Sequence, residues 1–237
     1  MSWRLRMFGG RLLHFGWRWP DRFLRLSRWT IWIQSPRGKD SFIRWFIGLI
    51  LLIVDLTPLS LFYETIMDLV KSKSRALSVF EISIAQSVFR KSLPLHLISM
   101  DPTSMPVRSK KASAYVSFHT INYDYALPPH TFIHELMHVW QYERNGSVYI
   151  SEALWAQYRG GGYNYGGLDP LVQYSRGKGL SAFNFEQQAE IIEDYYRWAN
   201  GMPLQWVANV PGVGAVLEKY RGNLETESVG ISAKYIS

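Results

Sequence analysis

The chain has 237 residues, enough for one substantial core with an appendage or for two small domains. It contains no cysteine, which excludes disulfide bonds and thiolate zinc sites, so any zinc site must use His with Asp or Glu. The net charge of +7 is uneven, because residues 1–44 hold ten Lys and Arg against two Asp whereas residues 45–237 are nearly neutral. A basic body would have indicated nucleic acid. A basic arm beside an apolar segment indicates a membrane surface instead, and no nucleic-acid partner is expected.

Residues 1–44 form an arm that is rich in Arg and Trp. Its tryptophans are Trp3, Trp17, Trp19, Trp29 and Trp32. Basic and indole side chains together favour the headgroup layer of a bilayer. The composition leaves a nucleic-acid-binding or disordered arm open as the alternative.

An apolar stretch, residues 45–63, follows the arm directly. Its length is about that needed to span the hydrocarbon layer. With Arg44 and the arm on its N-terminal side, a span would leave the arm in the cytoplasm and send the rest of the chain across the membrane. Asp55 interrupts the stretch, so a buried helical hairpin broken at Thr57–Pro58 stays open as the alternative. Residues 45–70 are therefore predicted to be a hydrophobic helical segment.

A polar linker at residues 71–75 marks the predicted start of the main domain, residues 71–225, with a tail at residues 226–237. An amphipathic helix is predicted next, because apolar residues recur there at helical spacing. These residues are Leu77, Phe80, Ile84, Ala85 and Val88.

Residues 93–99 and 114–122 alternate as strands do, on either side of a proline-containing turn at residues 101–106. His96 and His119 in this region are predicted to be structural. These elements precede a predicted helix that contains His-Glu-Leu-Met-His, an H-E-x-x-H motif, at residues 134–138. A helix and then strands ahead of such a helix is the α+β order expected of a zincin-like peptidase, in which an edge strand can hold an extended peptide substrate.

Residues 134–138 read His-Glu-Leu-Met-His, the H-E-x-x-H pattern. On a helix this spacing puts both imidazoles on one face, so His134 and His138 can bind one metal ion. Glu135 would then lie close enough to take a proton from a metal-bound water. Thr131 is the predicted N-cap and Asn145–Gly146 the predicted end. Apolar residues nearly surround the histidines, which predicts a buried helix with its polar face in a cleft: Phe132, Ile133, Leu136, Met137, Val139 and Trp140.

A short helix is predicted at residues 151–158, followed by a loop rich in Gly and Tyr at residues 159–167. The loop lacks phosphate-loop spacing, which excludes a nucleotide site of that type. Tyr163 and Tyr165 offer hydroxyls that can stabilise an oxyanion. A mobile surface loop is the alternative.

The next long helix is predicted to start with Asn184 as N-cap and Gln187 as its capping-box partner, and to end at Asn200–Gly201. Glu186 and Glu190 lie one turn apart on this helix. They form an E-x-x-x-E pair downstream of the two histidines.

A catalytic zinc takes three protein ligands, so the two histidines need a third. The metzincin extension is excluded, because Gln141 and Arg144 stand where it requires Gly and His. A downstream carboxylate must therefore complete the site.

Glu186 is the predicted third ligand, with Glu190 orienting a ligating histidine from behind. A pair of Glu190 and Asp194, with the roles moved one turn along the helix, is the alternative. Asp169 and His130 are weaker candidates.

Three segments together resemble the Vgr-related and Rhs-associated zinc metallopeptidase domains, which are gluzincin-like bacterial domains linked to type VI secretion effectors. These segments are H-E-L-M-H-V-W-Q (residues 134–141), the Tyr-x-Tyr of residues 163–165 and F-N-F-E-Q-Q-A-E-I-I-E-D-Y-Y (residues 183–196). The resemblance covers about residues 75–225. In this family the glutamate of E-Q-Q recurs, which implies Glu186 as the ligand. The first 70 residues do not share the resemblance, so attachment to a secretion spike is not implied.

The sequence therefore predicts a peptidase that uses Zn²⁺ bound by His134, His138 and Glu186, with Glu135 as general base and a protein or peptide as substrate. A peptidoglycan-directed amide hydrolase is the alternative chemistry. Two non-catalytic alternatives also stay open. In one, the zinc only braces the fold and a fourth ligand such as His130 closes the site. In the other, the chain is a membrane interaction protein and the motif is incidental.

The resemblance implies a bacterial protein. Residues 1–63 are expected to associate with a membrane and to hold the catalytic domain outside the cytoplasm, with a secreted effector as the alternative. The oligomeric state does not follow from the sequence.

Overall fold

The computed structural model describes residues 3–31, 39–103, 114–124, 126–158 and 161–233, with backbone only for residues 28–31, 39–41, 158 and 227–233. Several features predicted from the sequence fall outside the described residues. They are Trp32, the second half of the predicted turn at residues 101–106, residues 159–160 of the Gly/Tyr loop and the end of the tail.

The fold is α+β, as predicted: in the described residues ten α-helices accompany one small mixed sheet. The helices are α1 (Trp3–Trp17), α2 (Trp19–Ile31), α3 (Lys39–Asp55), α4 (Leu59–Val70), α5 (Val79–Phe89), α6 (Pro129–Asn145), α7 (Val148–Tyr158), α8 (Leu168–Tyr174), α9 (Phe185–Ala199) and α10 (Val213–Ala233). The strands are β1 (Arg75–Ala76), β2 (Ser99–Asp101), β3 (Ala114–Ser117) and β4 (Thr120–Tyr123). The sheet order is β1-β2-β4-β3, with β2 parallel to β4 and the other neighbouring pairs antiparallel.

The chain forms two compact units. The first unit comprises Met1–Leu77, Leu95–Ala126 and Gln141–Ser151, and the second comprises Ser78–Pro94, Leu127–Trp140 and Glu152–Ser237. The N-terminal helices thus group with the sheet. The domain boundaries expected near residues 71 and 225 stay predictions.

In the first unit, the apolar segment predicted at residues 45–63 is broken into α3 and α4. The stretches Phe42–Asp55 and Leu59–Val70 meet at an angle of 74°. A break at Thr57–Pro58 is thus confirmed, and the proline explains it because its ring cannot continue a helix. Among the described residues no single helix is long and apolar enough to cross a membrane, although the bent pair together meets that test of length and composition. The alternative of a disordered arm is wrong for the described part of residues 1–44, which is helical.

Both strand predictions need correction. The strand expected at residues 93–99 is wrong, because Leu95–Leu97 forms a 3₁₀ turn and β2 begins only at Ser99. The strand expected at residues 114–122 is two strands that turn back at Phe118, whose positive φ of 58° reverses the chain. Alternation alone did not reveal this reversal, because a bulky residue at positive φ is uncommon.

In the second unit, the helix predictions hold more closely. The capping box of α9 is confirmed, since the side chains of Asn184 and Gln187 exchange hydrogen bonds with each other's backbone. Helix α6 starts at Pro129 rather than after Thr131, because proline is tolerated in the first turn. The apolar side expected for α5 is wrong at Phe80, which is 67% exposed. Helices α8 and α10 were not foreseen.

Candidate metal centre

Helix α6 holds the two histidines of H-E-x-x-H in the second unit. The apolar residues beside them are buried, as predicted, and fix the helix in place: Phe132, Ile133, Leu136, Met137, Val139 and Trp140. The rings of His134 and His138 lie 5.0 Å apart between centroids, on one face of the helix. The helical spacing thus delivers both imidazoles to one point, as the sequence predicted.

Helix α9 brings Glu186 to the same point. Its Oε2 lies 3.4 Å from Nε2 of His134 and 3.6 Å from Nε2 of His138. These distances are too long for hydrogen bonds. They match the separation of roughly 3.3–3.6 Å expected between ligand atoms about 2.0–2.2 Å from a tetrahedral zinc ion.

Oε2 of Glu186 is an orphaned buried acceptor. The residue is 1% exposed, and within the described part of the chain no donor makes a hydrogen bond to this oxygen. The two imidazoles lie at ion-pair distance from this oxygen, but no hydrogen bond compensates for its burial, and a bound cation would do so. The donor set of two imidazoles and one carboxylate therefore fits a zinc ion at this position.

The other oxygen of Glu186 is held by Gln157 at the end of α7. The Nε2 of Gln157 donates to Oε1 of Glu186 across 2.9 Å. This bond fixes the carboxylate so that Oε2 alone faces the histidines. Sequence reasoning missed Gln157, because only the tertiary contact distinguishes it from an ordinary polar residue near a helix end.

The far nitrogen of His134 faces two more carboxylates of α9. Nδ1 lies 3.2 Å from Oε2 of Glu193 and 3.4 Å from Oε1 of Glu190. The sequence suggested Glu190 for the role of orienting a ligand, and it did not identify Glu193. A glutamate seven residues after the ligand lies two turns along the same helix face, so helical spacing could have indicated it.

Glu193 is the better fixed of the two carboxylates. Its Oε1 lies 2.8 Å from Nδ1 of His130 and accepts a hydrogen bond of 2.8 Å from Nη2 of Arg197. Burial raises the pKa of Glu190 to about 7. Burial also opposes ionisation of Glu193, but hydrogen bonds from His134, Arg197 and His130 outweigh it and lower the pKa to about 2. Glu193 is therefore ionised behind His134 at neutral pH, whereas Glu190 ionises less readily.

Glu135 directly follows His134 of the predicted ligand set (His134, His138 and Glu186) on helix α6, and its carboxylate is buried. The residue is 6% exposed, and no donor among the described residues hydrogen-bonds its Oε2. Burial raises its pKa above the ordinary value, although the charges of His138 and His134 act in the opposite direction. A carboxylate with a raised pKa and a free oxygen is a good proton acceptor.

The two candidate tyrosines of the Gly/Tyr loop have different surroundings. The ring of Tyr163 lies 6.1 Å from that of His134. The hydroxyl of Tyr165 donates to Oδ2 of Asp194 across 2.6 Å. Gln187 also fastens the loop to α9, because its Nε2 donates to the carbonyl oxygen of Asn164. Tyr163 thus has a ring contact with His134, whereas the hydroxyl of Tyr165 is engaged by Asp194.

The remaining ligand candidates have other contacts. Asp194 accepts hydrogen bonds from Tyr165 and from the backbone of Gln205 and Trp206. His130 pairs with Glu193. In the described residues, none of Asp194, Asp169 and His130 belongs to a group of ligand atoms that converge within 4.8 Å.

The first unit contains a second His/Glu group, which was not foreseen as a site. Nε2 of His119 lies 2.7 Å from Oε1 of Glu143, and Nε2 of His14 lies 2.9 Å from Oε2. The backbone N–H of His119 donates to Glu64 across 2.8 Å. Burial would lower the pKa of His119, but the charge of Glu64 and the hydrogen bonds to both carboxylates raise it to about 9. These contacts form a hydrogen-bonded ion-pair network, although the ligand atoms of His14, His119 and Glu143 also lie close enough together to hold a metal ion. That His119 is structural stays a prediction.

No family model matches this sequence, and neither a curated protein nor a solved structure matches the chain.

Proposed function

We propose that this chain is a zinc-dependent peptidase of the gluzincin arrangement, with His134, His138 and Glu186 as the metal ligands. One observation carries the proposal: the orphaned Oε2 of Glu186 stands 3.4 and 3.6 Å from the two imidazole Nε2 atoms. A hydrogen-bonded structural cluster would contract these distances to about 3 Å.

A catalytic role is favoured over a bracing role for the ion. Three protein ligands leave one tetrahedral position open, which is typical of catalytic zinc, whereas structural zinc has four. His130, the residue that could have closed the site, pairs with Glu193 instead.

Zinc bound there supplies a Lewis acid for the scissile carbonyl and lowers the pKa of a water ligand. Glu135 would accept a proton from the attacking water on its carboxylate and would donate it to the leaving amine. Glu193 holds the Nδ1 proton of His134, which keeps Nε2 free to act as a ligand. Tyr163 is the proposed donor to the oxyanion, because its ring lies beside His134.

The proposed substrate is a protein or peptide, and the proposed fold type is zincin-like. Both follow from the resemblance of residues 134–141, 163–165 and 183–196 to the Vgr-related and Rhs-associated domains.

The test is a cleavage assay on an unbiased peptide library, with new termini identified by mass spectrometry. The zinc-loaded protein should create new termini, and Glu135→Gln should lower the rate by about 10²–10⁴-fold, the usual contribution of a general base. The variant should bind as much zinc as the unsubstituted protein. Undiminished cleavage by Glu135→Gln would show that the proton acceptor is wrong.

A further inference from the structure

Helix α4 has its polar side inside and its apolar side outside. Glu64 and Asp68 are only 2% and 4% exposed. Each has a partner within the first unit, since Glu64 binds His119 and Asp68 accepts a hydrogen bond of 2.7 Å from Arg11. The exposed residues of α4 are all apolar or aromatic: Leu59, Phe62, Tyr63, Ile66, Leu69 and Val70. Their spacing of three and four residues places them in one stripe along the helix.

Helix α3 has the same outward character. Its exposed residues are Phe42, Ile43, Phe46, Ile47, Ile50 and Ile53. Of the residues described between Phe42 and Val70, no charged one is exposed. We name these six residues and the six of α4 the α3–α4 apolar surface. Isolated exposed apolar side chains are ordinary on a water-facing surface, but twelve on two consecutive helices mark an interaction site.

The charge around this surface is positive. Residues 1–77 contain thirteen Lys and Arg against five Asp and Glu. Within the described side chains of this stretch no acid is exposed, whereas Arg6 and Lys73 are. Trp17 and Trp19 on α1 and α2 are exposed as well, and indole rings favour the boundary between headgroups and acyl chains.

We propose that the α3–α4 apolar surface docks onto an anionic phospholipid bilayer, with its stripes among the acyl chains and the basic residues at the headgroups. The opposite side of both helices packs against other residues of the first unit, since Asp55 binds Ser147 and Glu64 binds His119. This one-sided exposure is typical of helices that lie in the membrane surface. A second copy of the chain is the less suitable partner, because pairing would bring two positive units together. The inference does not depend on the metal centre.

The absence of cysteine allows a direct test. Single-cysteine variants Ile50→Cys and Ile66→Cys report on the surface after labelling with a nitrobenzoxadiazole fluorophore. Phe80→Cys is the matched control, because Phe80 is also apolar and exposed but lies in the second unit. The labelled proteins are mixed with vesicles of phosphatidylcholine, with or without phosphatidylglycerol.

The emission of labels at residues 50 and 66 should shift to shorter wavelength and become several-fold more intense with vesicles that contain phosphatidylglycerol. Vesicles of phosphatidylcholine alone should give a much weaker response. The label at residue 80 should not change. The proposal is overturned if labels 50 and 66 do not respond, if residue 80 responds equally, or if both labels shift with protein concentration in the absence of lipid.

Flotation with the same vesicles gives an independent result. The variant Phe62→Asp/Ile66→Asp should lose vesicle binding, whereas Val79→Asp/Phe80→Asp on α5 should retain it. Glu135→Gln should also float unchanged, which separates this proposal from the catalytic one. Full vesicle binding by Phe62→Asp/Ile66→Asp would contradict the proposed surface.

Discussion

Two groups among the described residues each combine two histidines with one glutamate, and the distances between their side-chain atoms differ. In the first unit, Glu143 lies 2.7 and 2.9 Å from the nitrogens of His119 and His14, which are hydrogen-bond distances. In the second unit, Oε2 of Glu186 lies 3.4 and 3.6 Å from the two imidazole nitrogens.

Because the distances differ although the residue types are the same, residue type alone does not identify a metal site. The first group satisfies its charges internally, because both imidazoles bind the carboxylate directly. The second leaves a buried carboxylate oxygen without a donor among the described residues, at distances that suit ligands around one ion. Both groups could hold a metal ion, and we propose zinc at the second because no hydrogen bond occupies Oε2 of Glu186, whereas hydrogen bonds occupy the carboxylate of Glu143.

Removing the carboxylate from each group in turn tests whether only the second group binds zinc. Glu186→Ala should lower zinc affinity by well over 100-fold, because it deletes a proposed ligand, whereas loss of a residue that only hydrogen-bonds a ligand typically costs about 10–100-fold. Glu143→Ala is the matched control and should leave zinc affinity unchanged. Chelator competition measures both. Equal losses in the two variants would remove the distinction between the groups.

A smaller change tests which carboxylate orients His134. Glu193→Gln should lower zinc affinity by about 10–100-fold, because it removes the charged acceptor 3.2 Å from Nδ1. Glu190→Gln should lower zinc affinity less, because burial raises the pKa of Glu190 to about 7 and this carboxyl group therefore carries less negative charge at neutral pH. The same competition assay ranks the variants. A larger loss for Glu190→Gln would reverse the assignment.

The ion-pair network should depend on pH. The pKa of His119 rises from 6.5 to about 9 on folding, so its charge stabilises the fold fully below 6.5, and this stabilisation is lost as the pH rises through 9. The pKa of Glu143 is lowered well below 4.5, because hydrogen bonds from His119 and His14 outweigh burial. Its contribution is therefore present above 4.5 and is lost in acid.

Urea unfolding should show the alkaline loss as about 1–3 kcal/mol between neutral pH and values above 9. The variant His119→Gln should lack this part of the pH dependence. An identical alkaline profile in both proteins would mean that His119 is not the titrating group.

The sequence predicted the elements whose signals are local. The H-E-x-x-H helix and the capping box of Asn184 and Gln187 depend on residues within one or two turns, and both were found. Glu186 was predicted from its E-x-x-x-E spacing and from the resemblance of residues 183–196, and helix α9 brings it to both histidines. Gln157 was not, since its role depends on a contact between residues far apart in the chain.

Two other features escaped sequence reasoning because they depend on tertiary partners. The pairing of β2 with β4 sets the sheet, and alternation over residues 93–99 did not reveal it. The inward direction of Glu64 depends on Arg11 and His119, so average hydropathy could not show that α4 is exposed on its apolar side.

The most direct test of the central claim is anomalous diffraction at the zinc absorption edge from crystals of the zinc-loaded protein. We expect one strong peak within bonding distance of Nε2 of His134, Nε2 of His138 and Oε2 of Glu186, and none at Glu143. A peak between His14, His119 and Glu143, or no peak beside Glu186, would contradict it.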